Sequence, residues 1–345
     1  MKYRLLGHSG LRVAEMSLGT MTFGEDWGWG SGKDDAHAIY EAYRAAGGNF
    51  IDTANVYTNG TSETMVGEFI HDHRQEVVLA TKYTNAIPGN NPNAGGNHRK
   101  SMVQAVEASL RRLKTDYIDL YWLHIWDKMT PVEEVMRAFD DLVSQGKVLY
   151  IGVSDAPAWW VAQANTMADL SNWTQFVGLQ IEYSLVERTV ERELIPMAKA
   201  FQLGLVAWSP LGGGLLSGKY HAGAKSEGRY SDDAMKQFKR QGAQADRIVA
   251  ATKKVSEETG RSMAQVALAW LRYREIPIIP IIGARRIAQL QDNLNSLTLD
   301  LTPEQVSALD QASAIELGFP HDFYKIDMVK GMVYGGMRDH ILEAA

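Results

Sequence analysis

Eight short apolar runs alternate with amphipathic stretches along this 345-residue chain, and that alternation limits the fold more than any other feature. The runs are EMSLG, NFIDT, EVVLATK, YIDLYWLH, VLYIGVSD, FVGLQ, GLVAWSP and IPIIPIIG. Between them, residues 35–46, 101–113, 131–145 and 191–200 carry apolar side chains at three- and four-residue intervals, the period of an amphipathic helix. Near-continuous apolar strands separated by such helices indicate parallel strands buried on both faces. Eight βα units with no low-complexity linker favour one α/β domain over residues 1–345, a (β/α)8 TIM barrel, over two separate domains. Ahead of the first unit, residues 1–15 read as a β-hairpin around His8-Ser9-Gly10 that closes the bottom of the barrel.

A barrel of this kind places its active site at the C-terminal ends of its strands. Reading off those ends gives Gly19-Thr20-Met21, Asp52 with Tyr57, Lys82, His124, Ser154-Asp155, Gln180, Trp208-Ser209-Pro210 and Gly283-Ala284-Arg285. Any one of them has an ordinary structural explanation, such as a lysine stem laid along apolar surface or a capping glutamine. Together, Asp52, Tyr57, Lys82 and His124 form a chemical unit. A phenol is a poor proton donor near neutrality, since its reference pKa is about 10, unless a nearby cation stabilises its anion. Lys82 can be that cation, Asp52 can hold it protonated, and His124 can orient a substrate oxygen.

Composition excludes several alternatives. The formal net charge of −6 and the pI near 5.9 argue against a nucleic-acid surface. The chain has no cysteine, so disulfides, thiolate catalysis and cysteine-ligated zinc are excluded, and no metal site is expected. His71 and His73, two residues apart, do not share a helix face as metal ligands. No apolar segment is long enough to span a membrane, and the first residues lack a signal-like apolar region, so a cytoplasmic protein is expected. FGEDWGWGSGKDD lacks P-loop spacing, and GGGLLSG lacks the dinucleotide fingerprint of a doubly wound fold.

The ordered pieces FIDTANVY, VVLATKY, DLYWLHIWD, IGVSD, LQIEYSLVER, WSPLGGGLLSGKY and IIGARRIAQLQDN resemble the aldo-keto reductase family, as represented by its bacterial NADPH-dependent members, over nearly the whole chain. The resemblance implies carbonyl reduction to the alcohol, or the reverse oxidation, with NADPH/NADP+ bound across the barrel mouth. It makes Asp52, Tyr57, Lys82 and His124 the catalytic tetrad, with Tyr57 as general acid. It also implies cofactor contacts from Gly19, Thr20, Met21 and Asp52 at the first strand ends. Ser154, Asp155 and Gln180 match the carboxamide site, and Trp208 matches the aromatic that stacks on the nicotinamide. Ser209, Pro210, Leu211, Gly213, Gly214 and Lys219 match the pyrophosphate loop, with Arg229 a looser match. Gly283, Ala284, Arg285, Gln289, Asp292 and Asn293 match the segment holding the adenosine 2′-phosphate and adenine.

At position 155 the chain departs from the family, which usually carries Asn there; an ionised Asp accepts hydrogen bonds but cannot donate them. Trp27, Trp29 and Trp126, with Tyr57 and His124, supply a wall for an aryl or bulky carbonyl substrate. The aromatic tail, residues 316–345, is expected near that pocket, and NAIPGNNPNAGGNHRK is expected to form a mobile loop on the rim. The expected partner is a small carbonyl or alcohol, with no nucleic acid or membrane, in a monomer or small homo-oligomer. Two other classes compete. A glycosidase would use the carboxylates Asp155 and Glu182 but leaves Lys82 and Tyr57 unexplained. A cofactor-binding regulatory or partner-binding module with little turnover would keep the same pocket.

Overall fold

Every one of the eight apolar runs forms a strand. The computed structural model describes residues 1–86, 89–218 and 241–342. It begins with the antiparallel pair β1 (Tyr3–Leu5) and β2 (Arg12–Ala14). There follow β3 (Ser17–Gly19), β4 (Phe50–Asp52), β5 (Val78–Tyr83), β6 (Ile118–Leu123), β7 (Val148–Ser154), β8 (Phe176–Glu182), β9 (Gly204–Trp208) and β10 (Ile278–Ile282). These eight pair in parallel, in sequence order, and β10 returns to β3 to close the barrel. Closure satisfies every strand edge, and the helices between the strands cover the outer face.

The helical periods correspond to helices at Lys33–Ala45, Arg99–Leu113, Val132–Ser144 and Leu194–Ala200. The last starts later than its period suggests because Thr189–Glu191 forms a separate 3-10 turn. Helix Val132–Ser144 buries Val132, Val135, Met136, Phe139 and Leu142, the apolar stripe visible in its sequence.

Inside the barrel the largest occupant is Trp122 of β6, fully buried. Its room comes from the two neighbouring strands. A Cβ on Gly152 of β7 would lie 2.3 Å from the indole, and one on Gly178 of β8 would lie 2.9 Å away. Below it, Leu6, Val13 and Ala14 of the hairpin region pack with Phe50, Val78, Val177 and Val206. Gly7, at φ +58°, lies so close to the start of β8 that a Cβ would meet the Val177 carbonyl at 2.2 Å. The hairpin therefore plugs the N-terminal end of the barrel and leaves the other end open.

Long-range polar contacts hold two peripheral segments. Among the described residues, none of the tail from residue 316 onward is in the cavity lining, and polar contacts tie it to the segment around Arg192. The Arg192 guanidinium donates to the Glu316 carbonyl, and His321 pairs with Glu193. On the rim loop, Asn97 is anchored: its amide donates to Thr84 Oγ1 and to the Ile125 carbonyl, each at 2.9 Å, and its backbone N–H donates to Asp127.

Candidate active site

The open end of the barrel holds a cavity of about 800 Å3, within the usual range for a small-molecule site. Gly19, Asp52, Ser154, Gln180, Trp208 and Ile282, from six strand ends, line it together with His124 just past β6. Lys82, from β5, lies fully buried behind this surface.

Asp52 ends β4 and pairs with Gly19 on one side and Ala80 on the other, which fixes its carboxylate at the rim. Lys82 donates to Asp52 Oδ1, to the Thr53 carbonyl at 2.8 Å and to the Tyr57 hydroxyl at 3.2 Å. An ammonium has three donors, and here each has an oxygen. Burial lowers the Lys82 pKa, but the charges of Asp52 and Tyr57 and the hydrogen bonds outweigh it, so the net shift is upward and the ammonium stays protonated. Gln180 Nε2 donates to the other Asp52 oxygen at 2.9 Å. The pair is thus satisfied without substrate.

Tyr57 opens a tight turn in which Thr58 and Asn59 both take positive φ, and this turn swings the phenol back over β4 toward Lys82. His124 stands edge-to-face with it at 5.9 Å between ring centres. Desolvation in the cavity floor, and then the Lys82 charge, hold the His124 imidazole well below its usual pKa, so it is neutral at physiological pH. The arrangement offers a phenol beside a permanent cation and a neutral imidazole beside both. A cation at that distance stabilises negative charge on the phenol oxygen, which is what a phenolic proton donor requires.

Asp155 adopts φ +45° immediately after β7 and accepts from Trp208 Nε1 at 3.0 Å. Although its carboxylate opens onto the cavity, surrounding protein desolvates it, and with Glu182 nearby this pushes its pKa up to about 6 against the Trp208 hydrogen bond. The neighbouring Ser154 side chain is buried, lies beside the Asp155 carboxylate and belongs to the cavity lining. On the opposite wall the helix Ile287–Asn295 starts without a side-chain cap. Its approach is pinned by Gln289, which accepts from the Arg285 backbone N–H at 2.8 Å, and by Thr22, which donates to the Ala284 carbonyl at 2.9 Å. Asp292 accepts from Ser262 and Gln265, and Asn293 reaches the Gly283 carbonyl.

Of the residues singled out in the sequence, Gly19, Met21, Trp27, Trp29, Asp52, Tyr57, His124, Ser154, Asp155, Gln180, Trp208, Ser209, Pro210, Leu211, Gly213, Gly214, Gly283, Ala284, Arg285, Gln289, Asp292 and Asn293 all line the cavity. Two do not. Thr20 is fully buried beneath the rim, where its hydroxyl donates to the Asp52 carbonyl at 3.2 Å and meets Ser62. Trp126 packs edge-on against Trp159 at 5.6 Å, away from the cavity. Lys219 and Arg229 lie outside the described residues. Among the lining residues that the sequence reading missed are Val56, Asn85 and Ile125. Val56 and Ile125 adjoin Tyr57 and His124, a signal that was available; Asn85 gave none.

The aldo/keto reductase family model matches residues 15–314, which span the whole barrel. The chain belongs to the aldo/keto reductase family. This aldo-keto reductase is 39% identical to norsolorinic acid reductase stcV of Emericella nidulans over 91% of its own length and 82% of the relative's. It is 38% identical to aldo-keto reductase ausK of Aspergillus calidoustus, covering 94% and 85% of the two chains. To an aryl-alcohol dehydrogenase of Phanerodontia chrysosporium whose name specifies NADP(+), it is 37% identical over 90% and 86%. These relatives are fungal and give no support to the bacterial grouping expected from the sequence. An oxidoreductase on a closed (β/α)8 barrel is the class these findings establish. Among the described residues no helix is long and apolar enough to cross a membrane, and no cluster of potential metal ligands occurs.

Proposed function

We propose that the protein reduces an aldehyde or ketone bearing an aryl or other bulky apolar group, or oxidises the corresponding alcohol, with NADPH/NADP+ as cofactor. One observation carries this reading: a buried, fully hydrogen-bonded Lys82 ammonium, just behind the cavity lining, 3.2 Å from the Tyr57 hydroxyl.

The cavity's donor set fits the dinucleotide. The buried Ser154 hydroxyl, in the lining beside Asp155, suits a carboxamide. Gln180, whose Nε2 is committed to Asp52, has its carbonyl left to accept from the same group. Trp208 offers a ring face, held by its hydrogen bond to Asp155. Ser209 to Gly214 offer a loop in which Ser209, Gly212, Gly213 and Gly214 all have positive φ; the N–H groups of Gly212 and Gly214 donate to the Ser209 and Leu211 carbonyls, which holds the loop against the cavity. At the far wall, the uncapped helix start and Arg285 suit a phosphate dianion. When bound, NADPH supplies the hydride.

The protein's own residues do the rest. His124 hydrogen-bonds and orients the substrate oxygen, and Tyr57 gives that oxygen its proton. Lys82 holds the charge left on the phenol, and Asp52 keeps Lys82 in place. Trp27 and Trp29, 5.6 Å apart, with Val56 and Ile125, form an apolar wall suited to an aromatic ring. The name of the Phanerodontia relative supports both the cofactor and the aryl preference. The reading includes a single domain over residues 1–345, a cytoplasmic location, and a monomer or small homo-oligomer.

The test is NADPH consumption with a panel of aromatic and aliphatic aldehydes and ketones. Turnover that is fastest with aryl carbonyls is the expected result. Tight NADPH binding with no consumption by any carbonyl would favour the partner-binding alternative instead.

A further inference from the structure

Asn85 lies in the cavity lining two residues beyond β5, where no strand or helix period sets its direction. Its amide nitrogen is 3.2 Å from His124 Nδ1, and among the described residues it is the hydrogen-bond partner that the imidazole has. Local structure holds it there. Thr84 takes φ +90°, a strained conformation for a β-branched residue, which turns the chain back across the rim. The Thr84 carbonyl accepts from the Gly96 backbone N–H at 2.8 Å, and its hydroxyl accepts from Asn97 at 2.9 Å. The Asn85 carbonyl accepts from the Asn55 amide at 2.8 Å, and Asn55 itself is tied to the Lys82 carbonyl by its backbone N–H. The same short segment thus carries Lys82 at its strand end and Asn85 at its turn.

An amide nitrogen can only donate. A neutral imidazole that accepts at Nδ1 must carry its proton on Nε2. We propose that Asn85 is a positioning residue for carbonyl reduction: its amide fixes His124 in the Nε2–H tautomer, so that the ring presents a donor to the substrate oxygen beside Tyr57. This rests on the reductase reading given above. Without Asn85 the ring is free to populate the other tautomer, which would point a lone pair at a carbonyl oxygen and repel it. The cost of strain at Thr84 then has a purpose, since a relaxed turn would carry Asn85 away from the ring.

The decisive measurement is nitrogen NMR of the protein selectively labelled at histidine, with His124 assigned by loss of its signals in His124→Gln. In the parent, His124 Nδ1 is expected to give the shift of an unprotonated imidazole nitrogen and Nε2 that of a protonated one. The opposite assignment would overturn the proposal, and needs no variant to show it. Asn85→Asp keeps the shape and replaces the donor with an acceptor, so the proton should move to Nδ1 and kcat should fall roughly 10- to 100-fold, the usual loss when the partner orienting a functional histidine is removed. The NADPH dissociation constant should stay within about threefold. A tautomer shift with kcat unchanged, or an unchanged tautomer in Asn85→Asp, would also overturn it. Failure of the reductase reading is separately visible: the parent would then consume no NADPH with any carbonyl, whatever its histidine spectrum.

Discussion

A lysine buried as completely as Lys82 ordinarily loses several kcal/mol to desolvation. Three oxygens offset that here, and the third of them is the Tyr57 hydroxyl, so the structural satisfaction of the cation and its chemical use are one arrangement. Asp155 shows the opposite balance. Its folded-state pKa is pushed up to about 6, so the folded protein holds that proton more tightly than the unfolded chain does. Its contribution to stability is therefore complete below the ordinary carboxylate range and is lost as pH rises through about 6. Asp155→Asn keeps an oxygen for Trp208 and has no charge to desolvate. Because the carboxylate opens onto solvent in the cavity, screening limits the effect to under about 1 kcal/mol. Thermal unfolding should show the variant gaining on the parent between about pH 4 and pH 7; an identical pH profile for both would show that the carboxylate is not desolvated. NADPH should bind the variant at least as tightly as the parent, and a large loss in calorimetric titration would give the aspartate a role of its own.

At the scale of elements, two segments make separable claims. Strands β6, β7 and β8 fit together because glycine occupies positions 152 and 178 against Trp122. Gly152→Ala places a methyl group inside the indole's van der Waals surface, and such overpacking typically costs about 1–3 kcal/mol. Denaturant unfolding should show that loss, and a neutral result would mean that Trp122 has room to move. The segment from Gly283 into the helix Ile287–Asn295 is proposed to read the 2′-phosphate. Arg285→Ala should weaken NADPH by about 1–3 kcal/mol and leave NADH nearly unchanged. Equal losses for the two cofactors would show that Arg285 does not distinguish them. The strands were legible in the sequence because burial on both faces leaves no polar alternation to confuse the period. Thr20 was not, since a residue just past a strand can face either the cavity or the layer beneath, and only the Asp52 carbonyl and Ser62 decide which.

For the molecule as a whole, the groups proposed to be catalytic come from residues 52, 57, 82 and 124, and only a closed barrel brings them together. That convergence could be read from the sequence: once eight strands are counted, their C-terminal ends must share one rim, and polar side chains from Asp52 to Arg285 fall there. Features set by single long-range contacts could not be read. The tail follows Arg192 and Glu193, Trp126 turns to Trp159, and Asn85 reaches His124 through a turn at Thr84 that no period announces. The central claim, a Tyr57 proton donor sustained by Lys82, is tested most directly by Tyr57→Phe, which keeps the ring and removes the proton. The hydroxyl matters only as charge develops on the substrate oxygen, so its loss should affect the chemical step and not the binding of cofactor. Single-turnover reduction of an aryl aldehyde should slow by roughly 10²–10⁴, the range that general acid catalysis supplies, while the NADPH dissociation constant moves less than about threefold. Near-parental turnover in Tyr57→Phe would contradict the account and pass the proton donor's role to another group, with His124 first in line.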